Sequence, residues 1–186
     1  MIGFELDNLT QLSVLPNGLE IGHTSYFDDV PEGNWFLLFF YPAAFTWVCP
    51  TELIELKNKF AEFERLKTSV WAISTDGAEV LQEWVKQAFE SMPFYMVADR
   101  NRLLSHEFAC LDELNGVSYR CTVLVDPGNE DRNGMIRYYS ICDNNVGRNV
   151  DEILRLIEAF QTSDASDGQV APCGWTPGAE LITPGE

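Results

Sequence analysis

Cys49 stands where two sequence patterns meet. Ahead of it, Trp35-Phe36-Leu37-Leu38-Phe39-Phe40-Tyr41 is a continuous apolar run bounded by Gly33-Asn34 and Pro42. Such a run is too short for most helices and suits a strand buried on both faces. Behind it, Leu53, Leu56, Phe60 and Phe63 recur at spacings of three and four, with Lys57, Lys59, Glu62 and Glu64 between them. That period predicts an amphipathic helix from Pro50 to about Lys67, with Pro50 in the first turn, where a missing N–H costs nothing. A cysteine in the first turn meets unpaired N–H groups and the positive end of the helix dipole, which favour the nucleophilic thiolate. Thr46, three residues earlier, could place its hydroxyl in the same turn, on the sulfur or on a bound oxygen. Glu52, three residues later, works the other way, because a carboxylate one turn from a thiolate opposes its ionisation. A cation is therefore required nearby, and Arg120 and Arg148 are the candidates, since one arginine can pair with Glu52 while offering donors to sulfur and substrate. These features alone still leave open a packed, inert cysteine, a common fate of the residue type.

The other cysteines narrow the chemistry. Cys110, Cys121, Cys142 and Cys173 bring the total to five, an odd count without short regular spacing, which disfavours a secreted disulfide framework. No C-x-x-C pair is present, and His23 and His106 lie in no ligand-spaced cluster, so no metal site is expected. Cys110 and Cys121 read as packed thiols, while Cys142, ending a predicted strand before Asp143-Asn144-Asn145, keeps a redox or regulatory role open. The formal charge of -17, from 12 basic and 29 acidic side chains, would repel a phosphate backbone and an anionic membrane. Nucleic acid and membrane partners are not expected. The amino end lacks the basic flank and apolar stretch of a signal peptide, so a cytoplasmic location is expected.

Around this centre the chain alternates strands and helices. Ser69–Ser74 reads as a strand, Ala78 to about Phe89 as a helix, Phe94–Val97 as a strand and Arg102–Phe108 as a short helix. Tyr119–Val125 should form a strand paired antiparallel with one near Met135–Cys142, and Val150 to about Phe160 a last helix. The first 34 residues suggest a hairpin turning at Pro16-Asn17-Gly18. The fold class expected is α/β, a central mixed sheet flanked by helices. Beyond Gln161 the composition shifts to Ser, Asp, Gly and Pro, so residues 1–162 read as one domain and residues 163–186 as a flexible tail.

Pro42-Ala43-Ala44-Phe45-Thr46-Trp47-Val48-Cys49 matches the P-x-x-x-T-x-x-C motif of peroxiredoxins. Phe40-Tyr41-Pro42 through Val48-Cys49-Pro50-Thr51-Glu52-Leu53 resembles their typical two-cysteine branch, which includes the peroxidase component of bacterial alkyl hydroperoxide reductase. The likeness continues through Ser74-Thr75-Asp76, Arg120–Asp126 and Gly147–Arg155. The resemblance implies a thioredoxin-like fold and a thiol peroxidase, without a cofactor, acting on hydrogen peroxide and small organic hydroperoxides. It makes Cys49 the peroxidatic cysteine, shielded by Pro42, with Thr46 and Arg120 on the peroxide oxygens. Glu52 and Arg148 would hold Arg120, with Tyr41 in support. The branch resolves its sulfenic acid with a cysteine of the other subunit, which implies a homodimer, sometimes built into a decamer, and recycling by thioredoxin or a dedicated disulfide reductase. Where the branch carries Val-Cys-Pro, this chain has Val170-Ala171-Pro172-Cys173, two places later. Two extended residues span about 7 Å, so Cys173 can serve as the resolving cysteine only if the tail adjusts. Gly77-Ala78-Glu79 replaces bulkier residues expected at the decamer contact, which favours the dimer. A peroxide-sensing relay or a holdase on the same fold is the alternative reading.

Overall fold

The computed structural model describes residues 1–185. In chain order the elements are β1 (Thr10–Val14), β2 (Ile21–Ser25), α1 (Tyr26–Asp29), β3 (Trp35–Phe40), α2 (Cys49–Asn58), α3 (Phe60–Arg65), β4 (Thr68–Ser74), α4 (Ala78–Ala88), β5 (Tyr95–Ala98), α5 (Leu103–Glu107), β6 (Leu111–Asp112), β7 (Val117–Ser118), β8 (Arg120–Val125), β9 (Ile136–Cys142) and α6 (Val150–Asp164). The chain divides into two compact units, Met1–Arg148 and Asn149–Glu186.

The first unit is built on a seven-stranded sheet in the order β2-β1-β5-β4-β3-β8-β9. β3, β4 and β5 run parallel, and the remaining pairings are antiparallel, so the sheet is mixed as expected. Every residue of β3 is buried, which explains its unbroken apolar run, since a central strand covered on both faces has no solvent side to mark with polar residues. Its aromatic side chains join the core: Phe36 meets Trp71 edge-on at 4.9 Å and stacks on Tyr26 at 5.2 Å. α4 packs on β1, β2 and β5, and α3 on β4. The fold is thioredoxin-like, a mixed sheet with helices packed upon it.

Two boundaries differ from expectation. The helix predicted over Pro50–Lys67 is broken at Lys59, whose backbone leaves the helical region (φ −101°, ψ 11°) and caps both α2 and α3. The bend sets Phe60 against Phe94 at 5.9 Å while Phe63 stays buried, so tertiary packing overrides a continuous period. At the other end α6 runs to Asp164, past the composition change at Thr162. The amino-terminal hairpin forms, with Asn17 and Gly18 both at positive φ in its turn.

The second unit consists of α6 and the segment after it. Asn149 caps the helix by accepting from the Asp151 N–H at 2.9 Å. Arg155 Nη1 donates to the Trp175 carbonyl at 2.8 Å, and Trp175 Nε1 donates to the Ala179 carbonyl at 3.0 Å. Val170 and Ile182 form an antiparallel bridge. Cys173 lies exposed in the turn closed by the bond from the Trp175 N–H to the Pro172 carbonyl.

Candidate functional site

The site begins where β3 ends. Tyr41 prolongs the strand by one bond, its N–H donating to the Ile73 carbonyl at 2.9 Å, and Pro42 then removes the next donor. The loop that follows is tied to the end of β4, because the Ala44 N–H donates to Asp76 Oδ2 at 2.7 Å and the Ser74 hydroxyl to the same oxygen at 2.9 Å. Phe45 takes a left-handed conformation (φ 54°), a strained choice for a residue with a Cβ, and reverses the chain towards Cys49. Cys49 opens α2 and is only 1% exposed.

Four side chains named from the sequence meet here. Arg120, reaching across from β8, brings Nη1 to 3.5 Å from Cys49 Sγ and 2.6 Å from Glu52 Oε2. Arg148 donates to Glu52 three times: from its backbone N–H at 2.8 Å, from Nε at 2.9 Å and from Nη2 at 3.0 Å. Its Nη1 donates to the Cys121 carbonyl at 2.7 Å, and its guanidinium lies 3.3 Å from the centre of the Phe39 ring. Burial by itself would raise the Glu52 pKa, but the Arg148 hydrogen bonds and charge, helped by Arg120, hold the carboxyl below its ordinary value. The one acid near Cys49 is thus spent on two cations, which answers the objection that Glu52 raises.

A pocket of about 270 Å³ opens onto Cys49. Pro42, Trp47 and Val48 form its apolar side, and Thr46, Arg120, Asn144 and Asn145 its polar side. Pro42 is buried, and Thr46 is exposed with its hydroxyl donating to the Ala43 carbonyl at 3.0 Å rather than to the sulfur. Tyr41 is fully buried, and burial drives its hydroxyl pKa well above the usual value, so it stays protonated.

Asn144 was not singled out by its sequence. Its carbonyl accepts from Arg120 Nε at 3.2 Å and Nη2 at 2.8 Å, so this loop holds the guanidinium from behind while Nη1 faces Cys49. A backbone acceptor carries no residue-type signature. Gly147 in the same loop approaches α2 closely: a Cβ there would stand 3.2 Å from Val48 Cγ1.

The remaining cysteines are placed differently. All five are free thiols. Cys110 and Cys121 are both buried in the apolar core, and the Cys121 thiol together with burial raises the Cys110 pKa far above the ordinary thiol range. Cys142 is half-buried, opposite Arg120 in the β8–β9 register, with its thiol 3.6 Å from the Arg120 carbonyl; burial raises its pKa. His23 and His106 are exposed. Among the described residues no helix is long and apolar enough to cross a membrane, and no cluster of three or more acidic, histidine or cysteine side chains could hold a metal.

Comparison with known proteins covers nearly the whole chain. The family model described as AhpC/TSA matches residues 7–138, and one described as the C-terminal domain of 1-Cys peroxiredoxin matches residues 159–186. Peroxiredoxin TSA1 of Saccharomyces cerevisiae is 40% identical over 167 residues, 85% of this chain and 82% of that protein. Peroxiredoxin prdx-2 of Caenorhabditis elegans is 38% identical over 159 residues, 83% of this chain and 76% of its own. The reduced 2-Cys peroxiredoxin of Plasmodium vivax superposes with a TM-score of 0.87 at 28% identity, covering 98% of this chain and 93% of that structure.

Proposed function

The chain belongs to the AhpC/TSA family of peroxiredoxins and is a thiol-dependent peroxidase, and we propose that it reduces its peroxide at Cys49, with Arg120, Thr46 and Pro42 forming the reaction site and Glu52, Arg148 and Tyr41 supporting it. The observation that carries this reading is the Arg120 Nη1 group standing between Cys49 Sγ and Glu52. The sulfur of Cys49, as thiolate, attacks one peroxide oxygen. The O–O bond breaks as the S–O bond forms, the sulfur is oxidised to sulfenic acid, and the departing oxygen takes a proton and leaves as water or an alcohol. Negative charge grows on that oxygen, and a guanidinium already in position stabilises it without reorganisation. The Thr46 hydroxyl already donates its hydrogen to the Ala43 carbonyl, so its oxygen presents lone pairs to the O–H of the peroxide. Pro42 excludes water from one side, and Glu52 and Arg148 keep the guanidinium of Arg120 in place.

Cys173 is the resolving cysteine in this reading. Its thiolate attacks the sulfenic sulfur of Cys49 across a homodimer, a disulfide forms and water leaves; thioredoxin or a dedicated disulfide reductase then restores both thiols. Residues 163–186 act as the movable segment that brings Cys173 to its target, which requires the contacts of Trp175 with Arg155 and Ala179 to open. The small residues Gly77-Ala78-Glu79 favour the dimer over a decamer, and the reducing compartment that such recycling needs is the cytoplasm.

Stopped-flow measurement of peroxide consumption tests the first assignment: Cys49→Ser should abolish turnover, since a hydroxyl near neutral pH stays protonated. Peptide mapping after one equivalent of peroxide tests the second. It should show a reducible dimer joined Cys49 to Cys173, and Cys173→Ser should complete one turnover and then drift to sulfinic acid at Cys49. A linkage to Cys142, or steady turnover with a small external thiol and no disulfide, would mark Cys173 as a spare thiol.

A further inference from the structure

The pocket over Cys49 has two unlike sides, and the polar one has hydrogen-bonding capacity to spare. Asn145 uses its backbone N–H on Asp143 Oδ1 at 2.8 Å, but its exposed side-chain amide has no partner among the described residues. Asn144 turns its amide nitrogen to the Ser118 carbonyl at 3.4 Å, and since a carbonyl only accepts, the NH₂ group must face it. The Oδ1 of the same amide is buried with no partner. Neither amide is consumed in holding Arg120, a task done by the Asn144 backbone carbonyl.

We propose that Asn144 and Asn145 make this peroxidase selective for hydrogen peroxide over bulky apolar hydroperoxides. This rests on reading Cys49 as the residue that attacks the peroxide. Hydrogen peroxide is small and carries an O–H on both oxygens, so the oxygen that is not attacked can still exchange hydrogen bonds with an amide at the pocket wall. An alkyl or aryl hydroperoxide has carbon on that oxygen. With its reacting oxygen at Cys49 and Arg120, its apolar group would cover Asn144 and Asn145, stripping water from amides to which it offers no partner. The apolar side formed by Pro42, Trp47 and Val48 does not remove this penalty, because a bulky substituent in a space of about 270 Å³ meets both sides at once.

The test is the ratio of second-order rate constants for Cys49 oxidation by hydrogen peroxide and by cumene hydroperoxide, measured by stopped flow. The wild type should favour hydrogen peroxide. Asn145→Leu, at an exposed position with no side-chain bond to lose, and the double variant Asn144→Leu/Asn145→Leu should move the ratio towards cumene hydroperoxide by about 10-fold, the lower end for discrimination through an unpaired polar group. A ratio unchanged within about twofold in Asn145→Leu and in the double variant overturns the proposal. So does equal slowing with both peroxides, which would assign these residues to the placement of Arg120 alone. Failure of the underlying reading looks different, because Cys49→Ser would then consume either peroxide at the wild-type rate.

Discussion

Cys49 and the Cys110–Cys121 pair are buried to the same degree in the same unit, at 1%, 0% and 0% exposure, yet their surroundings oppose each other. Cys110 faces another thiol in an apolar cluster that includes Phe40, Phe108 and Val123. Ionising it would put an unpaired charge in a medium that cannot solvate it, so it remains a thiol and packs as a small hydrophobe. Cys49 is equally removed from water but has a guanidinium at 3.5 Å and a helix amino terminus beneath it. Burial thus decides little about a cysteine by itself. What matters is whether the space around the sulfur contains fixed positive groups, and at Cys49 these were brought in by two arginines anchored on one shared carboxylate.

The sharpest way to break this comparison is to exchange the fates of the two sites. Cys49→Ser should remove all peroxide turnover, while Cys110→Val, which keeps an apolar side chain of similar size, should leave the rate of Cys49 oxidation unchanged; a comparable loss from both would show that the core thiols share the chemistry. Next in size is Arg120→Met, which removes the donor but keeps much of the stem. We expect Cys49 oxidation to slow on the order of 100- to 1000-fold, the range for one preorganised transition-state donor. If stopped-flow traces show the original rate, another cation serves Cys49. Thr46→Val should cost less, on the order of 10- to 100-fold, because its hydroxyl hydrogen is already committed to Ala43 and only the lone pairs reach the substrate. An unchanged oxidation rate would leave Thr46 a loop-building residue.

The smallest effect on the chemistry, and the largest on stability, belongs to Glu52→Gln. Removing the charge leaves Arg120 and Arg148 buried without their counter-ion, which should destabilise the fold by about 3 kcal/mol in urea unfolding. The pH dependence carries the sign. The Glu52 pKa is depressed in the folded protein, so its contribution is fully present above the ordinary value of 4.5 and is lost as pH falls through the lower folded value. Wild-type stability should therefore decline more steeply than that of Glu52→Gln below pH 4.5. Parallel declines for the two proteins would mean that Glu52 is not the group being titrated.

How legible the site was depended on how far apart its parts lie along the chain. Thr46, Cys49 and Glu52 could be read together because they occupy one loop and one helical turn, and a change of hydrophobic period marks that junction locally. Arg120 and Arg148 could be nominated by charge and by resemblance, but their distances from Glu52, 68 and 96 residues along the chain, say nothing about contact. Asn144 left no trace in the sequence, since its peptide carbonyl would look the same in any residue type. Likewise the bend at Lys59 has no proline or glycine to announce it, and the helical period runs through it unbroken.

By itself, then, the sequence determined the local matters: a fully apolar central strand, a helix opening at Cys49 and a charge balance unsuited to polyanions. These follow from periodicity and composition, which act over a few neighbouring residues. Whether Glu52 would silence Cys49 or serve it was decided only by the tertiary structure. Electrostatic effects depend on separation in space, and only the folded sheet carries Arg120 on β8 and Arg148 beyond β9 to within hydrogen-bonding distance of the same carboxylate.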